Sequence, residues 1–371
     1  MATYIIRRFV QGLIVLVLAT FVIYSILVIT PGGPADQVAE ALALGKNGAK
    51  PVNQAYLDNV IKAYKLDSPY PVNYLRWLFD PKDTSYVDPN DGNSVKTKGV
   101  DLNIFGLEIK GSGALTGDFG NSLQIQKGSP VMGLMLDKLP NTLALTGSSL
   151  FLSILIAFPV GIIAAIRQYS RLDYAVTAFS FVGLSMPAFW LGLMLVIFLG
   201  VQAKTLHDSG WTWLPYLPVG FASDTDQEGN IFNRIYHLIL PVTVLSFVNI
   251  AGFSRYVRSS MLEVLRQDYV RTAWAKGLAQ RTVILRHALR NALIPVITVV
   301  TLSLPFLFSG AIASEQVFSY PGMGKLFITA ITVLDIPLIM AFLLIITTLI
   351  IASNILADVL YAVADPRIHY S

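Results

Sequence analysis

The sequence predicts an all-α protein that crosses a membrane six times and carries an enlarged segment between its first two spans. Of its 371 residues, 54% are hydrophobic and only 13% are charged, whereas soluble domains carry about 25% charged residues. Six stretches contain the roughly 20 mostly apolar residues that a helix needs to cross a bilayer. The chain contains no cysteine, which excludes disulfide bonds and thiolate metal sites.

Apart from one long segment, the predicted spans are joined by connections short enough to be loops. The spans lie at 9–30, 142–166, 174–201, 236–254, 292–313 and 336–363. The apolar run of the first span is longer than the roughly 7–15 residues of a signal-peptide core, so we interpret it as a span. Asp358 is the exception among span interiors that hold almost no ionisable side chain. Pro187, Pro241 and Pro305 lie in or near spans, where neighbouring helices can satisfy the carbonyls that proline frees.

Basic residues in the short loops predict that both ends of the chain are cytoplasmic. Thirteen of them fall on one side: Arg7, Arg8, Arg167, Arg171, Arg255, Arg258, Arg266, Arg271, Lys276, Arg281, Arg286, Arg290 and Arg367. The short loops of the other side hold only Lys204, Arg234 and Lys325. The chain therefore divides into a first span at 1–30, an extracytoplasmic segment at 31–141, a membrane core at 142–363 and a cytoplasmic tail at 364–371.

The outer segment is too polar to cross the membrane and too long for a plain loop. A helix is predicted from the spacing of Tyr56, Leu57, Val60, Ile61 and Tyr64. A second short helix is predicted over 71–79, a turn-rich and mobile stretch over 81–101, and a small hairpin about Gly106. The segment serves either as a cap over the outer mouth or as a docking surface for an extracytoplasmic partner, and both roles are compatible.

No catalytic constellation is found in the sequence. The histidines are scattered over loops and ends, at His207, His237, His287 and His369. The stretch "GMGKL" at 322–326 is not a phosphate-binding loop, because Ser319 and Leu326 occupy the positions of its first glycine and its Ser/Thr. If ATP drives this protein, another subunit must bind it.

The segment "DYVRTAWAKGLAQRTVILRHALRNALIP" at 268–295 is basic and half-apolar in an otherwise strongly hydrophobic chain. A helix is predicted to prolong the fourth span and continue to Gly277, which can stop it by entering a left-handed conformation. Its apolar stripe consists of Val270, Ala273, Trp274 and Leu278, with Arg271 and Lys276 mainly off the stripe. A second helix at about 280–290 leads into the fifth span. The residues alone leave three uses open: a topology signal, a helix on anionic lipid, or a helix that fills a groove on a cytosolic partner.

This segment closely resembles the cytoplasmic loop of ABC-importer permeases of the dipeptide/oligopeptide/nickel family. ABC importers carry the pattern E-A-A-x3-G-x9-I-x-L-P, in which Ala273 and Gly277 match the second alanine and the glycine. Arg271 replaces the glutamate and "HALR" at 287–290 replaces I-x-L-P, as in the peptide branch. Trp274 departs from the charged residue usual there.

The resemblance covers nearly the whole chain, and 82–114 fits least and looks like an insertion. The other motifs that carry it are "YIIRRFVQGLIVL", "ITPGGPAD", "GDFGNSL", "KLPNTLAL", "SMPAFWLGL", "SEQVFSYPGMGKL" and "ADPRIHY".

The resemblance implies a type I importer permease fold in a prokaryotic inner or plasma membrane, and a subunit that is not itself an enzyme. It implies four further partners: a second homologous permease, two ATPases that bind ATP and Mg, and an extracytoplasmic binding protein that delivers peptides. Lipid surrounds the chain, and neither a nucleic acid nor a bound cofactor is implied. Nickel chelates or oligosaccharides are alternative substrates. A more distant alternative is an ATP-independent secondary transporter, which usually shows ionisable coupling residues in the membrane. The residues assigned to ATPase coupling are Asp268, Tyr269, Arg271, Ala273, Trp274, Gly277 and Leu278.

Two further groups of candidate residues follow from the implied transport. Weak polar contacts with substrate along the pathway are assigned to Ser148, Ser149, Asn249, Ser303, Ser309 and Asn354. The alternative for each is a hydrogen bond between helices. The outer loop after the fifth span is assigned to gating, through Glu315, Pro321, Gly322 and Gly324. Glu315 either holds that gate or binds a backbone amine, and the other three residues shape a turn.

Overall fold

A computed structural model describes residues 2–29, 57–59, 61, 66–67, 69–79, 85–87, 94–96, 102–104, 107–109, 114, 117–213, 215–224, 230–309 and 311–364. Within these ranges the chain is almost wholly helical, and six helical segments are long and apolar enough to cross a membrane. The chain divides into two compact units. Leu139–Lys325 form most of the first, and Ile6–Lys138 with Leu326–Thr348 form the second. The predicted fold class is confirmed.

The second unit contains most of α1 (Ala2–Ile29), the first span, and the short helix α2 (Val72–Phe79) of the outer segment. Tyr74 of α2 donates a hydrogen bond to the carbonyl of Val17 at 3.0 Å, and its hydroxyl lies 2.8 Å from Thr20 Oγ1. The rings packed around it are Phe21, Tyr24 and Trp77. The helix predicted over 71–79 is therefore present, and it is held against the first span.

Two antiparallel strand pairs follow α2 in the chain. β1 (Ser85–Val87) pairs with β2 (Ser94–Lys96), and β3 (Leu102–Ile104) pairs with β4 (Leu107–Ile109). The hairpin predicted about Gly106 is confirmed. The stretch predicted as turn-rich over 81–101 also contains a strand pair, because short runs with valine and tyrosine, which favour strands, flank its turn residues.

The other predicted helix of the outer segment falls mostly outside the described residues. The chain is helical at Leu57–Asn59 and at Ile61. Tyr56, Val60 and Tyr64 lie outside the part that the structure describes.

The second span is α3 (Val131–Ile166), which contains Pro140 and Pro159. The third span differs from the prediction of 174–201, which was wrong. The chain forms α4 (Arg171–Ser185), then α5 (Ala188–Asp208) with a π-helical stretch at Val196–Gln202. The break falls at Met186, which is extended, with φ −87° and ψ 122°. The ring of Pro187 disfavours the helical conformation in the residue before it, so the helix ends there.

The fourth span is α6 (Ile231–Leu265), whose side-chain cap is Asn230. It extends beyond the predicted 236–254, as expected for a helix that continues out of the membrane. The prediction that this helix continues unbroken to Gly277 was wrong. It ends at Leu265, Gln267 is extended with φ −73° and ψ 148°, and a separate helix, α7 (Asp268–Ala275), follows. The next helical run, α8, covers 280–302 and includes a π-helical stretch at Val283–Ala288.

The remaining helices complete the chain. They are α9 (Leu304–Ser309), α10 (Ile312–Val317), α11 (Met323–Val333) and α12 (Ile336–Ala364). α11 is apolar but too short to cross a membrane. α12 coincides with the predicted sixth span.

A buried apolar cluster in the first unit joins α3, α6 and α8. Its members are Ala165, Val257, Met261, Ile284, Ala288, Ala292 and Val296. It holds the end of α6 and the start of α8, the two helices that flank α7.

Candidate functional site

The basic segment predicted from the sequence, residues 268–290, forms the short helix α7 and the first turns of α8. Gly277 has φ +74°, and its amide donates to the carbonyl of Trp274 at 2.9 Å. A Cβ added at Gly277 would meet nothing within 4 Å, so backbone conformation rather than space requires glycine. The predicted helix stop at Gly277 is confirmed.

α7 has one face turned into the protein and one turned outward. Val270 is fully buried and Ala273 is 6% exposed, and they pack with Val283 of α8. By contrast, 42% of Trp274 and 38% of Leu278 are exposed. The single apolar stripe predicted from helical spacing is therefore divided, because the end of α6 and the start of α8 already cover half of it.

Polar contacts fix α7 further. The Asn291 side-chain amide donates to the Tyr269 hydroxyl at 2.8 Å, which ties α7 to α8, and 43% of Tyr269 remains exposed. Asp268 and Arg271 approach to 3.8 Å, with both side chains largely in solvent. Such an exposed pair adds little stability, so both charges remain available to a partner.

The predicted outer-loop residues come together around one buried carboxylate. Glu315 is fully buried and accepts hydrogen bonds from the Lys325 amide at 2.8 Å and the Thr142 hydroxyl at 3.1 Å. A Cβ at Gly322 would lie 2.4 Å from the Glu315 carboxyl carbon, and one at Gly324 would also be too close to its neighbours. Glycine is required at both positions by close approach.

Pro321 and Met323, which belong to the same loop, are hydrogen-bonded to α3 through their backbone groups. The carbonyl of Pro321 accepts a hydrogen bond from the Asn141 side chain at 3.1 Å, and the amide of Met323 donates to Thr142 Oγ1 at 2.7 Å. The donors to Glu315 come from the chain itself, an arrangement that favours a structural role for the carboxylate over capture of an amine.

Three of the six predicted pathway residues, all serines, form hydrogen bonds within or between helices. Ser149 is buried and accepts from Ser246 of α6 at 3.2 Å through its carbonyl. Ser148 and Ser303 each donate to a carbonyl of their own helix. Asn249 and Ser309 are half-buried, and Asn354 is exposed. For the three serines with these bonds, the contacts match the alternative of hydrogen bonding within and between helices.

Two buried aspartates were missed in the sequence. Asp335 is fully buried and accepts from the Ser122 hydroxyl and from the amides of Leu123, Gln124 and Ile125 at 3.1–3.3 Å. This carboxylate ties the turn before α12 to the "GDFGNSL" stretch within the second unit. A partner more than 200 residues away leaves no local signal.

The second is Asp173 of α4, which is 2% exposed and pairs with Arg258 of α6. The Arg258 guanidinium holds the pKa of Asp173 below its usual range, against the opposing effect of burial. A local signal did exist: Ser170 and Asp173 stand in the spacing of a helix capping box.

A groove of about 470 Å³ runs along the last turns of α6, lined by Arg258, Ser259, Leu262, Glu263, Arg266 and Gln267. Among the residues that the structure describes, no three His, Asp or Glu side chains gather to hold a metal ion. The residues that line the groove offer charged and apolar contact surface.

Comparison with known proteins identifies the family. Residues 157–370 match the family model described as "Binding-protein-dependent transport system inner membrane component". The chain belongs to this family. It is 39% identical to the oligopeptide transport system permease protein AppB of Bacillus subtilis, over 100% of both chains. It is 42% identical to the dipeptide transport system permease protein DppB of Haemophilus influenzae, over 69% of this chain and 78% of that protein.

Other family members match over comparable lengths. The probable D,D-dipeptide transport system permease protein DdpB of Escherichia coli is 34% identical over 98% of this chain and 97% of its own length. Among solved structures, the MetNI methionine ABC transporter in an inward-facing conformation is 17% identical, with a TM-score of 0.47 over 63% of this chain and 97% of that chain. The match to the family model and the identities with AppB and DppB confirm the resemblance stated from the sequence motifs, and the chain is a multi-pass membrane permease.

Proposed function

We propose that this permease is one of two membrane subunits of an ATP-driven importer for di- or oligopeptides. The relatives named above are oligopeptide and dipeptide permeases, and the two that match along their whole length support the same substrate class here. Nickel chelates or oligosaccharides are the alternative substrates. A binding protein outside the membrane delivers the substrate, and both chain ends lie in the cytoplasm of a prokaryotic cell.

The observation that carries this proposal is the outward face of α7. Tyr269, Trp274 and Leu278 present apolar surface without contributing to the protein's own core. Asp268 and Arg271 supply charges beside them. Exposed aromatic residues beside charged groups are typical of the energetic centre of a protein interface, and we assign this face to an ATPase subunit that binds ATP and Mg.

The buried face of α7 explains how movement of an ATPase would reach the membrane. Val270 and Ala273 pack on α8, and Tyr269 is hydrogen-bonded to Asn291. When ATP draws two ATPases together, the helix held in each moves as a rigid body and displaces α6 and α8 with it. A second, homologous permease completes the pathway.

The experiment that tests the proposal is gentle extraction of the C-terminally tagged chain from its native membrane, followed by mass spectrometry of what co-purifies. We expect a second six-span permease and one or two ATPases with phosphate-binding loops. In the same preparation, addition of the peptide-loaded binding protein should stimulate ATP hydrolysis. A chain that emerges alone or as a homo-oligomer from several detergents would contradict the proposal and favour a self-sufficient transporter.

A further inference from the structure

α4 and α6 pack closely enough to move as one body. A Cβ added to Gly183 of α4 would lie 2.5 Å from the Cβ of Ala251 on α6, so the two backbones approach at a position that only glycine permits. One turn away, the hydroxyls of Ser180 and Ser254 lie 3.3 Å apart and are both buried. Small residues with a shared hydrogen bond are typical of tight helix contacts in membranes.

Asp173 stands at the start of this helix pair in a fixed position. Ser170 Oγ accepts from the Asp173 amide at 3.2 Å, and Asp173 Oδ2 accepts from the amide of Tyr169 at 2.9 Å. The first bond caps the helix at Ser170, and the second ties the Asp173 carboxylate to Tyr169, the residue before the cap. The carboxylate is therefore oriented by its own helix before any partner reaches it.

Arg258 of α6 meets this carboxylate with two nitrogens. Nε donates to Asp173 Oδ1, and Nη2 donates to Oδ2 at 2.9 Å. A two-point contact between a guanidinium and a carboxylate fixes orientation as well as distance. Lysine could not reproduce it, because an ammonium is a single point charge.

The pair lies close in sequence to α7. Arg258 stands ten residues before Asp268, and the intervening Val264 and Leu265 pack against the buried face of α7. The same end of α6 carries the groove lined by Glu263, Arg266 and Gln267. Force applied to α7 thus reaches the part of α6 that Asp173 holds, in addition to α8.

We propose that Asp173 and Arg258 are a positioning pair, which joins α4 to α6 so that displacement of α7 by an ATPase moves both helices together. This inference rests on the proposed function, and it adds α4, a helix outside the predicted coupling segment, to the moving part. The role of the pair is to prevent the end of α6 from bending independently when α7 is pushed.

The test uses the whole complex in lipid nanodiscs, with Asp173→Asn, Arg258→Lys and the exchanged pair Asp173→Arg with Arg258→Asp. We expect the two single variants to assemble and to retain the basal rate of ATP hydrolysis. The extra hydrolysis that the peptide-loaded binding protein induces should fall by about fivefold or more, the lower end of ordinary coupling between sites. The exchanged pair should recover part of it.

Arg255→Gln is the matched control. Arg255 lies one turn earlier on α6, with its guanidinium 5.4 Å from the ring centre of Phe181, and it forms no ion pair among the described residues. Because Phe181 lies on α4, the variant removes the same charge and one exposed α4–α6 contact, but it leaves Asp173 paired with Arg258. Stimulation should therefore remain near that of the unmodified complex.

The outcomes separate this inference from the proposed function. No stimulation in the unmodified complex would contradict the proposed function itself. Normal stimulation in Asp173→Asn, or an equal loss in Arg255→Gln, would overturn the positioning pair while leaving the proposed function intact. Loss of assembly in all three Asp173 and Arg258 variants would also overturn it, since the pair would then serve folding alone.

Discussion

Several single residues in this permease are fixed by backbone geometry rather than by side-chain chemistry. Gly277 adopts φ +74° in open space, so its requirement is conformational. Gly322 has the opposite requirement, because the Glu315 carboxylate occupies the space that a Cβ would take. The sequence predicted a stop at Gly277 from its place after an apolar stripe. It predicted only a turn at Gly322, because the Glu315 carboxylate that fills the space belongs to the preceding helix, α10.

We expect Gly277→Val to uncouple the permease from its ATPases. A β-branched residue in the left-handed region costs about 1–2 kcal/mol, so the end of α7 should rearrange while the spans remain inserted. Stimulated ATP hydrolysis in the purified complex is the measurement. Gly277→Asn is the control, because asparagine tolerates this conformation. If Gly277→Val retained the stimulated ATP hydrolysis of Gly277→Asn and of the unmodified complex, the left-handed stop would be dispensable.

We expect Gly322→Ala to lower the thermal stability of the permease in detergent. The added methyl would overlap the Glu315 carboxyl group, and overpacking of this kind costs about 1–3 kcal/mol. Gly147→Ala is the control, since a Cβ at Gly147 meets nothing within 4 Å. An unchanged melting temperature for Gly322→Ala would mean that the loop around Glu315 relaxes freely.

For the helix α7, helical spacing alone could not determine which of its apolar residues are buried and which are exposed. The positions of Val270, Ala273, Trp274 and Leu278 predicted one apolar stripe, but only the fold determines which of them its own neighbours cover. The division between α4 and α5 was similarly missed, although Pro187 carried the signal. Asp335 was missed because its partner lies far away in the sequence. Asp173 also has a distant partner, Arg258, but the cap spacing of Ser170 and Asp173 was a local signal that was overlooked.

The two faces of α7 should respond differently to truncation. Trp274→Ala should weaken association with the ATPase by about 1 kcal/mol or more, as interface aromatics do, with little change in the stability of the isolated permease. Val270→Ala should lower that stability, because it removes buried contacts with α8. Binding of purified ATPase and thermal unfolding measure the two effects. If Trp274→Ala lowered the stability of the permease and Val270→Ala weakened ATPase binding, the outward face of α7 would not be the docking surface.

In the whole molecule, six helical segments are long and apolar enough to cross a membrane, and six crossings predict that both ends of the chain lie on the same side. The side itself is predicted from the arginine-rich loops. Hydrophobic composition was sufficient to predict the number of spans, and alternation about Gly106 predicted the β3–β4 pair. The β1–β2 pair and the contact of α2 with the first span were not predicted, because they depend on packing in the outer segment.

The absence of cysteine makes this orientation directly measurable. In intact cells, a membrane-impermeant maleimide should label Lys127→Cys and should leave Arg281→Cys unlabelled until the membrane is opened. Both positions are exposed in the protein, so differences in labelling report the side of the membrane. Labelling of Arg281→Cys in intact cells would reverse the orientation.

The most direct test of the central claim is a photo-reactive amino acid at position 274, activated in native membranes, with the cross-linked product identified by mass spectrometry. We expect a cross-link to an ATPase that contains a phosphate-binding loop, and none from the same probe at Lys127. A probe at position 274 that reacts only with lipid, while the complex is intact, would contradict the assignment of α7 to ATPase docking.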